Sequence, residues 1–272
     1  MTIRFDGLGF RYPGSDHDAL REVSASVGRE TITLVTGRLG SGCSTLLLAA
    51  AGLAPHVTGG TRQGTVTTLG HDPASAEGRR ALAGRLGFLL PTPWTQLSGM
   101  AFTVREEVGF GPANLGWPRE RIDEAVQRAL VRVRAQHLES RDPRTLSGGE
   151  LHRVVLASVT ATDPEVLLLD EPVLELDSAG ARLVYDLLPA MASERTVVVA
   201  STDVDRAAEV AGRVLLLDRG SLVAQGSPTE VLGTASTVAM GASTTVASIA
   251  RSAGMNAPFP LNVAAAVRCL AR

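Results

Sequence analysis

Residues 36–45 read TGRLGSGCST. A β-branched run, TITLV, precedes them at 31–35, and a helix-forming run, STLLLAAA, continues from them over 44–51. A strand, a glycine-rich turn and a helix in that order make a cradle for phosphate. Gly37, Gly40 and Gly42 open backbone conformations closed to residues with a Cβ. Successive N–H groups then converge at a helix N-terminus, where the macrodipole favours an anion. Ser44 stands where such a loop places the hydroxyl that ligates Mg²⁺. The pattern asks for lysine between Gly42 and Ser44, and Cys43 is there instead. The chain contains no lysine, so all 26 cationic side chains are arginine. Taken alone, the stretch also reads as a glycine-rich loop with no ligand, and the rest of the chain has to decide.

A chain of 272 residues can bury a sizeable core, as one large domain or one domain plus an appendage. A net charge of −2 offers no electrostatic case for nucleic acid as a partner. Cys43 and Cys269 form no disulfide framework and suit a reducing cytosol. No apolar run approaches the ~18 residues of a membrane span, and the start, MTIRFDGLGF, lacks the layout of a signal peptide. The expectation is a cytosolic protein that reaches a membrane only through a partner.

Along the chain, residues 2–5, 8–12 and 19–27 read as strands of an antiparallel start, with a Pro13-Gly14 turn. Tyr12 either offers a ring face for a base to stack on or packs in a core. Residues 56–68 read as a connection into another strand. Residues 79–90 read as a short helix and a buried strand, 86–90, stopped by Pro91-Thr92-Pro93. Over 118–138, Ile122, Ala125, Val126, Ala129, Leu130 and Val133 recur at helical spacing. Residues 146–150, LSGGE, open another helix, with Ser147 as N-cap and Gly148 and Gly149 baring backbone N–H groups. For five residues alone, a capped helix start accounts for that motif. Residues 165–172, EVLLLDEP, hold a continuous apolar run that fits a strand buried on both faces of a parallel sheet. Two carboxylates at the ligand-binding end of such a strand are expensive unless a metal or substrate uses them. Further strands fall at 195–200, 213–218 and 221–224, and a short capped helix at 227–232. Residues 233–245 have linker composition, and two helices flank Pro258–Pro260 within 246–272.

With these residues in hand, the chain resembles the ATP-binding subunits of ABC transporters. Within them it is most similar to the ATPases of energy-coupling-factor systems, which import vitamins and metal ions. GRLGSGCST resembles the Walker A loop, LSGGE the signature motif and LLLDEP the Walker B strand. Asp177 in LELD matches the D-loop acid, and Tyr12 in FRYPG the adenine-stacking aromatic. EEVGFGPANLG, at 106–116, points to the energy-coupling-factor branch. The resemblance implies an α/β fold of the P-loop NTPase type over residues 1–232. That fold has a mixed, mostly parallel sheet, an N-terminal antiparallel β subdomain and a helical subdomain inserted over residues 93–161. A linker (233–245) and a small C-terminal helical extension (246–272) follow. The implied cofactors are ATP and Mg²⁺. Gly37, Arg38, Gly40, Ser41, Gly42, Cys43, Ser44 and Thr45 would cradle the phosphates, Ser44 and Asp170 would hold the metal, and Glu171 would polarise the attacking water. Ser147, Gly148, Gly149 and Asp177 would complete a site on a second ATPase subunit paired head to tail. The region Glu106–Gly116 would meet a membrane subunit, which puts the protein on the cytoplasmic face of the cell membrane.

Three positions depart from the family pattern. Cys43 replaces the Walker A lysine, Pro91 aligns with the glutamine that senses γ-phosphate and metal, and Thr202 takes the place of the histidine that stabilises the γ-phosphate. All three serve the nucleotide this chain would itself hold, whereas the residues lent to a partner are kept. Losing one preorganised donor costs about 2.7–4 kcal/mol in rate terms, or roughly a hundredfold. The leading expectation is an importer subunit that hydrolyses ATP poorly at its own site, in a heterodimer with an ATPase that keeps its lysine. One alternative is a regulatory or scaffold nucleotide-binding module outside transport. Another is an active enzyme in which Arg38 replaces the lysine. The intact Asp170 and Glu171 fit least easily with an abandoned site.

Overall fold

Apolar runs place alternate side chains on opposite faces of a strand, and in the central sheet of this chain both faces are covered. The computed structural model describes residues 1–29 and 31–270. In chain order the elements are β1 (Ile3–Arg11), β2 (Leu20–Val27), β3 (Ile32–Gly37), α1 (Cys43–Ala50), β4 (Thr61–Thr68), α2 (Ala76–Leu82) and β5 (Leu86–Leu89). An inserted helical block follows: α3 (Val104–Asn114), α4 (Arg119–Arg132) and α5 (Gly148–Thr160). The chain returns through β6 (Val166–Asp170), α6 (Ser178–Ala192), β7 (Thr196–Ala200), α7 (Val204–Val210), β8 (Arg213–Asp218) and β9 (Ser221–Gly226). It closes with α8 (Pro228–Leu232), α9 (Ala235–Ala239), α10 (Thr245–Ser252) and α11 (Val263–Leu270).

The large sheet has the order β5-β6-β7-β3-β8-β9 and is parallel except for the β8–β9 hairpin. Leu167, Leu169, Val197 and Val199 point into one core, beneath the inserted helices and α6. Val166, Leu168, Val198 and Ala200 point into the other, shared with α1 and the small antiparallel sheet β2-β1-β4. Burial on both faces explains why these strands read as unbroken apolar runs.

Several elements differ from their sequence reading. Residues 2–5 and 8–12 belong to one strand, β1. It passes through an irregularity where Gly7 takes φ +57° and Gly64 on β4 takes φ +68°. The third strand of that sheet arrives from beyond α1. The helix read over 118–138 stops at Arg132, because Val133, Ala135 and Leu138 are all buried. One straight helix would turn Ala135 away from the face that holds Val133; instead Arg134 takes φ +56° and the chain bends. Helix α3 opens on a reciprocal capping box between Thr103 and Glu106 and buries Val104, Val108 and Pro112 at four-residue spacing. Residues 233–245, of linker composition, contain α9 and bury Thr237, Val238, Ala242 and Thr244. The Asp205 carboxylate on α7 accepts the Thr245 N–H at 2.7 Å and the Thr245 hydroxyl at 2.6 Å, fastening α10 to α7. Among the described residues no helix is long and apolar enough to cross a membrane.

Two glycines with positive φ separate local from tertiary strain. A Cβ on Gly64 would lie 2.2 Å from the Gly7 carbonyl oxygen, whereas one on Gly14, at φ +71°, would meet nothing within 4 Å. Gly14→Ala should cost about 1–2 kcal/mol, the left-handed penalty alone. Gly64→Ala should cost clearly more, since strand β1 must also shift; urea denaturation of the two variants measures the difference.

Candidate functional site

The loop between β3 and α1 is held in its path by sterics. A Cβ on Gly37 would lie 2.1 Å from the Leu217 carbonyl oxygen, and one on Gly42, at φ +102°, 2.5 Å from that of Ala19. The Ser41 N–H donates to the Arg38 carbonyl at 2.9 Å, and the Gly220 N–H donates to the Ser41 carbonyl at 3.0 Å. The loop is thus closed on itself and tied to the β8–β9 turn. Together with Tyr12, Glu171, Ser201 and Thr202 it walls a cavity of about 260 Å³. Larger hollows lie against β1 and β2, about 470 Å³, and between α6 and α7, about 640 Å³, but neither is walled by a glycine-rich loop.

At the start of α1 the Ser44 hydroxyl donates to Asp170 Oδ1 at 3.0 Å. Asp170 ends β6 and is 2% exposed. Burial pushes its carboxyl up to about 6, opposed by the Ser44 hydrogen bond and aided by the charge of Glu171. A hydroxyl and a carboxylate joined beside a glycine cradle suit Mg²⁺, which takes one or two protein ligands and leaves other positions to phosphate and water. Among the described residues no group of three or more His, Cys, Asp or Glu side chains is placed to hold a metal ion.

Between Gly42 and Ser44, the Cys43 sulfur lies 3.3 Å from the Ser41 hydroxyl oxygen. Burial pushes the thiol up to about 11, so the position is uncharged at neutral pH. Glu171 follows Asp170 with φ +46°, an uncommon conformation for a residue with a side chain. Its N–H donates to the Ala200 carbonyl at 2.8 Å. Its carboxylate accepts the Thr202 N–H at 2.9 Å and the Ser201 hydroxyl at 3.5 Å, and burial raises its proton affinity.

Most of the residues read from sequence as nucleotide contacts do meet here. Tyr12 packs edge-on against Phe10, with ring centroids 4.9 Å apart, and also lines the cavity. Its hydroxyl lies 3.0 Å from the Thr45 hydroxyl. Thr202 donates its backbone N–H to Glu171 at 2.9 Å. Pro91 is not in the cavity wall; it follows the end of β5. Nearby, the Gln96 side chain accepts the Leu90 N–H and donates to the Phe88 carbonyl, both at 2.8 Å. Ser147, Gly148, Gly149 and Asp177 also lie outside the cavity. Ser147 caps α5 in a capping box with Glu150, and Asp177 caps α6 by accepting the Gly180 N–H at 2.7 Å. A Cβ on Gly149 would come 4.0 Å from Leu176, so these two outlying motifs are neighbours.

Sequence reasoning missed Ser201 and Tyr185. Buried Ser201 donates its N–H to the Val35 carbonyl at 3.1 Å, and its own carbonyl accepts the Thr36 hydroxyl at 2.8 Å. Its hydroxyl oxygen lies 3.0 Å from that of buried Tyr185 on α6. The polar STD after the buried strand TVVVA is the signal that could have found Ser201; Tyr185 left none.

The raised thiol of Cys43 has a direct readout. At pH 7.5 iodoacetamide should modify the exposed Cys269 well before Cys43. The Cys43 rate should rise about tenfold per pH unit toward pH 11 as thiolate forms, followed by peptide mass spectrometry.

A family model described as ABC transporter matches residues 20–174. The energy-coupling factor transporter ATP-binding protein EcfA2 of Methanospirillum hungatei is 35% identical over 239 residues, covering 87% of this chain and 58% of that protein. A Streptomyces coelicolor protein named as an ABC transporter ATP-binding protein is 38% identical over 231 residues, covering 85% of this chain and 84% of that one. Among solved structures, cbiO1 of Clostridium perfringens, part of the ABC transporter complex cbiONQ, matches with a TM-score of 0.75 at 27% identity. That match covers 88% of this chain and 93% of cbiO1. The chain spans only 39%, 37% and 58% of the lengths of relatives from Methanosarcina mazei, Methanosarcina acetivorans and Methanospirillum hungatei. One continuous match takes in the glycine loop, the capped α5 start and the carboxylate end of β6, and the chain belongs to the ABC transporter family of ATP-binding proteins.

Proposed function

We propose that this chain is the ATP-binding subunit of an energy-coupling-factor importer, holding ATP and Mg²⁺ but hydrolysing ATP poorly at its own site. In this reading it forms a heterodimer with a second ATPase subunit that keeps its lysine, and lends that subunit its signature motif. The observation that carries the proposal is Cys43, an uncharged side chain at the lysine position of a loop otherwise built for phosphate. Binding is supported by the glycine cradle, by Ser44 with Asp170, and by the Tyr12 ring in the cavity wall. Mg²⁺ held by Ser44 and Asp170 would neutralise phosphate charge. Glu171, anchored by the Thr202 N–H and Ser201, would orient water, but neither Cys43 nor Thr202 supplies a side-chain cation toward the terminal phosphate. One missing preorganised donor is enough for turnover about a hundredfold slower.

The lending role is supported by the exposure of Ser147 and Gly148 at the α5 start, beside Leu176 and Asp177. The membrane partner would meet the region around Glu106–Gly116. Next to it, Trp94, Met100 and Phe102 are 58%, 73% and 73% exposed. The loop carrying them is pinned by buried Glu107, which accepts the Ser98 N–H at 2.8 Å and the Ser98 hydroxyl at 2.7 Å. The protein would then sit on the cytoplasmic face of the membrane. EcfA2, named for an energy-coupling factor transporter, and cbiO1, part of an ABC transporter complex, support the transporter class.

In the assembled complex, Ser147→Arg should abolish ATPase activity, whereas Glu171→Gln should leave it nearly unchanged. The reverse ranking would mean that this chain's own site turns over. A chain that binds ATP yet joins neither an ATPase nor a membrane subunit would favour the regulatory or scaffold module instead.

The raised carboxyl of Asp170 sets a pH dependence. A proton competes with the metal once pH falls through about 6. The Mg²⁺-dependent part of ATP affinity should therefore be level above pH 7 and fall by up to about tenfold per unit below 6. Calorimetry with Mg²⁺ and with EDTA separates this from nucleotide binding alone.

A further inference from the structure

We propose that Arg38 is the cation that reads the phosphate chain in this loop, a role that rests on the nucleotide-binding reading above. The neighbouring Cys43 cannot fill it, because a thiol carries no positive charge in either protonation state. In the described cavity wall Arg38 is the one cationic residue, and Glu171 is the one carboxylate, with Asp170 behind Ser44. The acidic end therefore suits a metal, and the phosphates beyond it lack a counter-charge unless Arg38 provides it.

The geometry fits that role. The backbone of Arg38 is fixed on both sides. Gly37 is wedged against the Leu217 carbonyl, and the Arg38 carbonyl accepts the Ser41 N–H at 2.9 Å. Its side chain, by contrast, is exposed and has no ion-pair partner among the described residues. A guanidinium offers a rigid fork that meets two phosphate oxygens at once. Arg38 also borders a second hollow, about 180 Å³, across the same loop, together with Asp218 and Arg219. Arg219 is exposed on the turn tied to Ser41 but does not line the first cavity. It carries the same charge close to the loop without the same access, which makes it the natural control.

The test is calorimetric titration of the purified full chain with ATP and with AMP, in Mg²⁺. A charge-assisted contact of this class is worth about tenfold or more in affinity. Arg38→Ala should weaken ATP by at least that factor and leave AMP within about threefold, and Arg38→Lys, which keeps the charge but not the fork, should recover only part of the loss. Arg219→Ala should stay within about threefold of the parent. Arg38→Gln, with a side chain closer in length, replaces the alanine variant if the latter fails to fold by circular dichroism. Unchanged ATP affinity in the Arg38 variants, or an equal loss in Arg219→Ala, would overturn the assignment while leaving the nucleotide reading intact. A parent chain that binds no ATP would instead sink the nucleotide reading, and this assignment with it.

Discussion

Gly37 has no room for a side chain: the Leu217 carbonyl on β8 and the Ser41 side chain occupy the space where a Cβ would stand. That contact decides how the chain leaves the central strand of its sheet. Because β3 lies between β7 and β8, the loop that follows it must pass between their ends. The end of β7 supplies Ser201, bonded to Val35 and Thr36 on one side and to Glu171 on the other. The end of β6 supplies Asp170 beneath Ser44. Parallel packing thus gathers the loop, both carboxylates and the Ser201 hub at one edge, the edge where open α/β sheets bind ligands.

The chemistry of that edge is lopsided. Its acidic half is well kept, since Asp170 is held by Ser44 and Glu171 by two donors, and Glu171 retains an uncommon backbone conformation anchored on Ala200. Conformations of this kind persist only where the surroundings over-determine them. The basic half is reduced to Arg38, whose exposed side chain borders the cavity. Such a site can attract a metal–phosphate pair through N–H groups and carboxylates, yet it has little fixed positive charge to stabilise what develops during bond cleavage.

Much of this was legible in the order of residues. The strands β6, β7 and β8 announce themselves because burial on both faces leaves no polar side, and the glycine loop because its φ values demand glycine. Ser44 and Asp170 follow from their places at the end of a turn and of a strand. Other features left no local trace. Helix α3 joins a capping box to a stripe of just Val104, Val108 and Pro112, and α4 ends early because tertiary burial of Ala135 overrides a helical period that continues in sequence. Tyr185 and Ser201 meet only through the packing of α6 against the sheet. Pro91 was placed by register alone, and the residues after β5 loop out instead, with Gln96 folded back on the strand.

The fastening of Thr245 by Asp205 has a mechanical meaning. Asp205 lies in the first turn of α7, three positions past the backbone N–H that holds Glu171. The tail is therefore in series with the Glu171 carboxylate. A tug on the last helices is geared through one short lever to a carboxylate in the cavity wall.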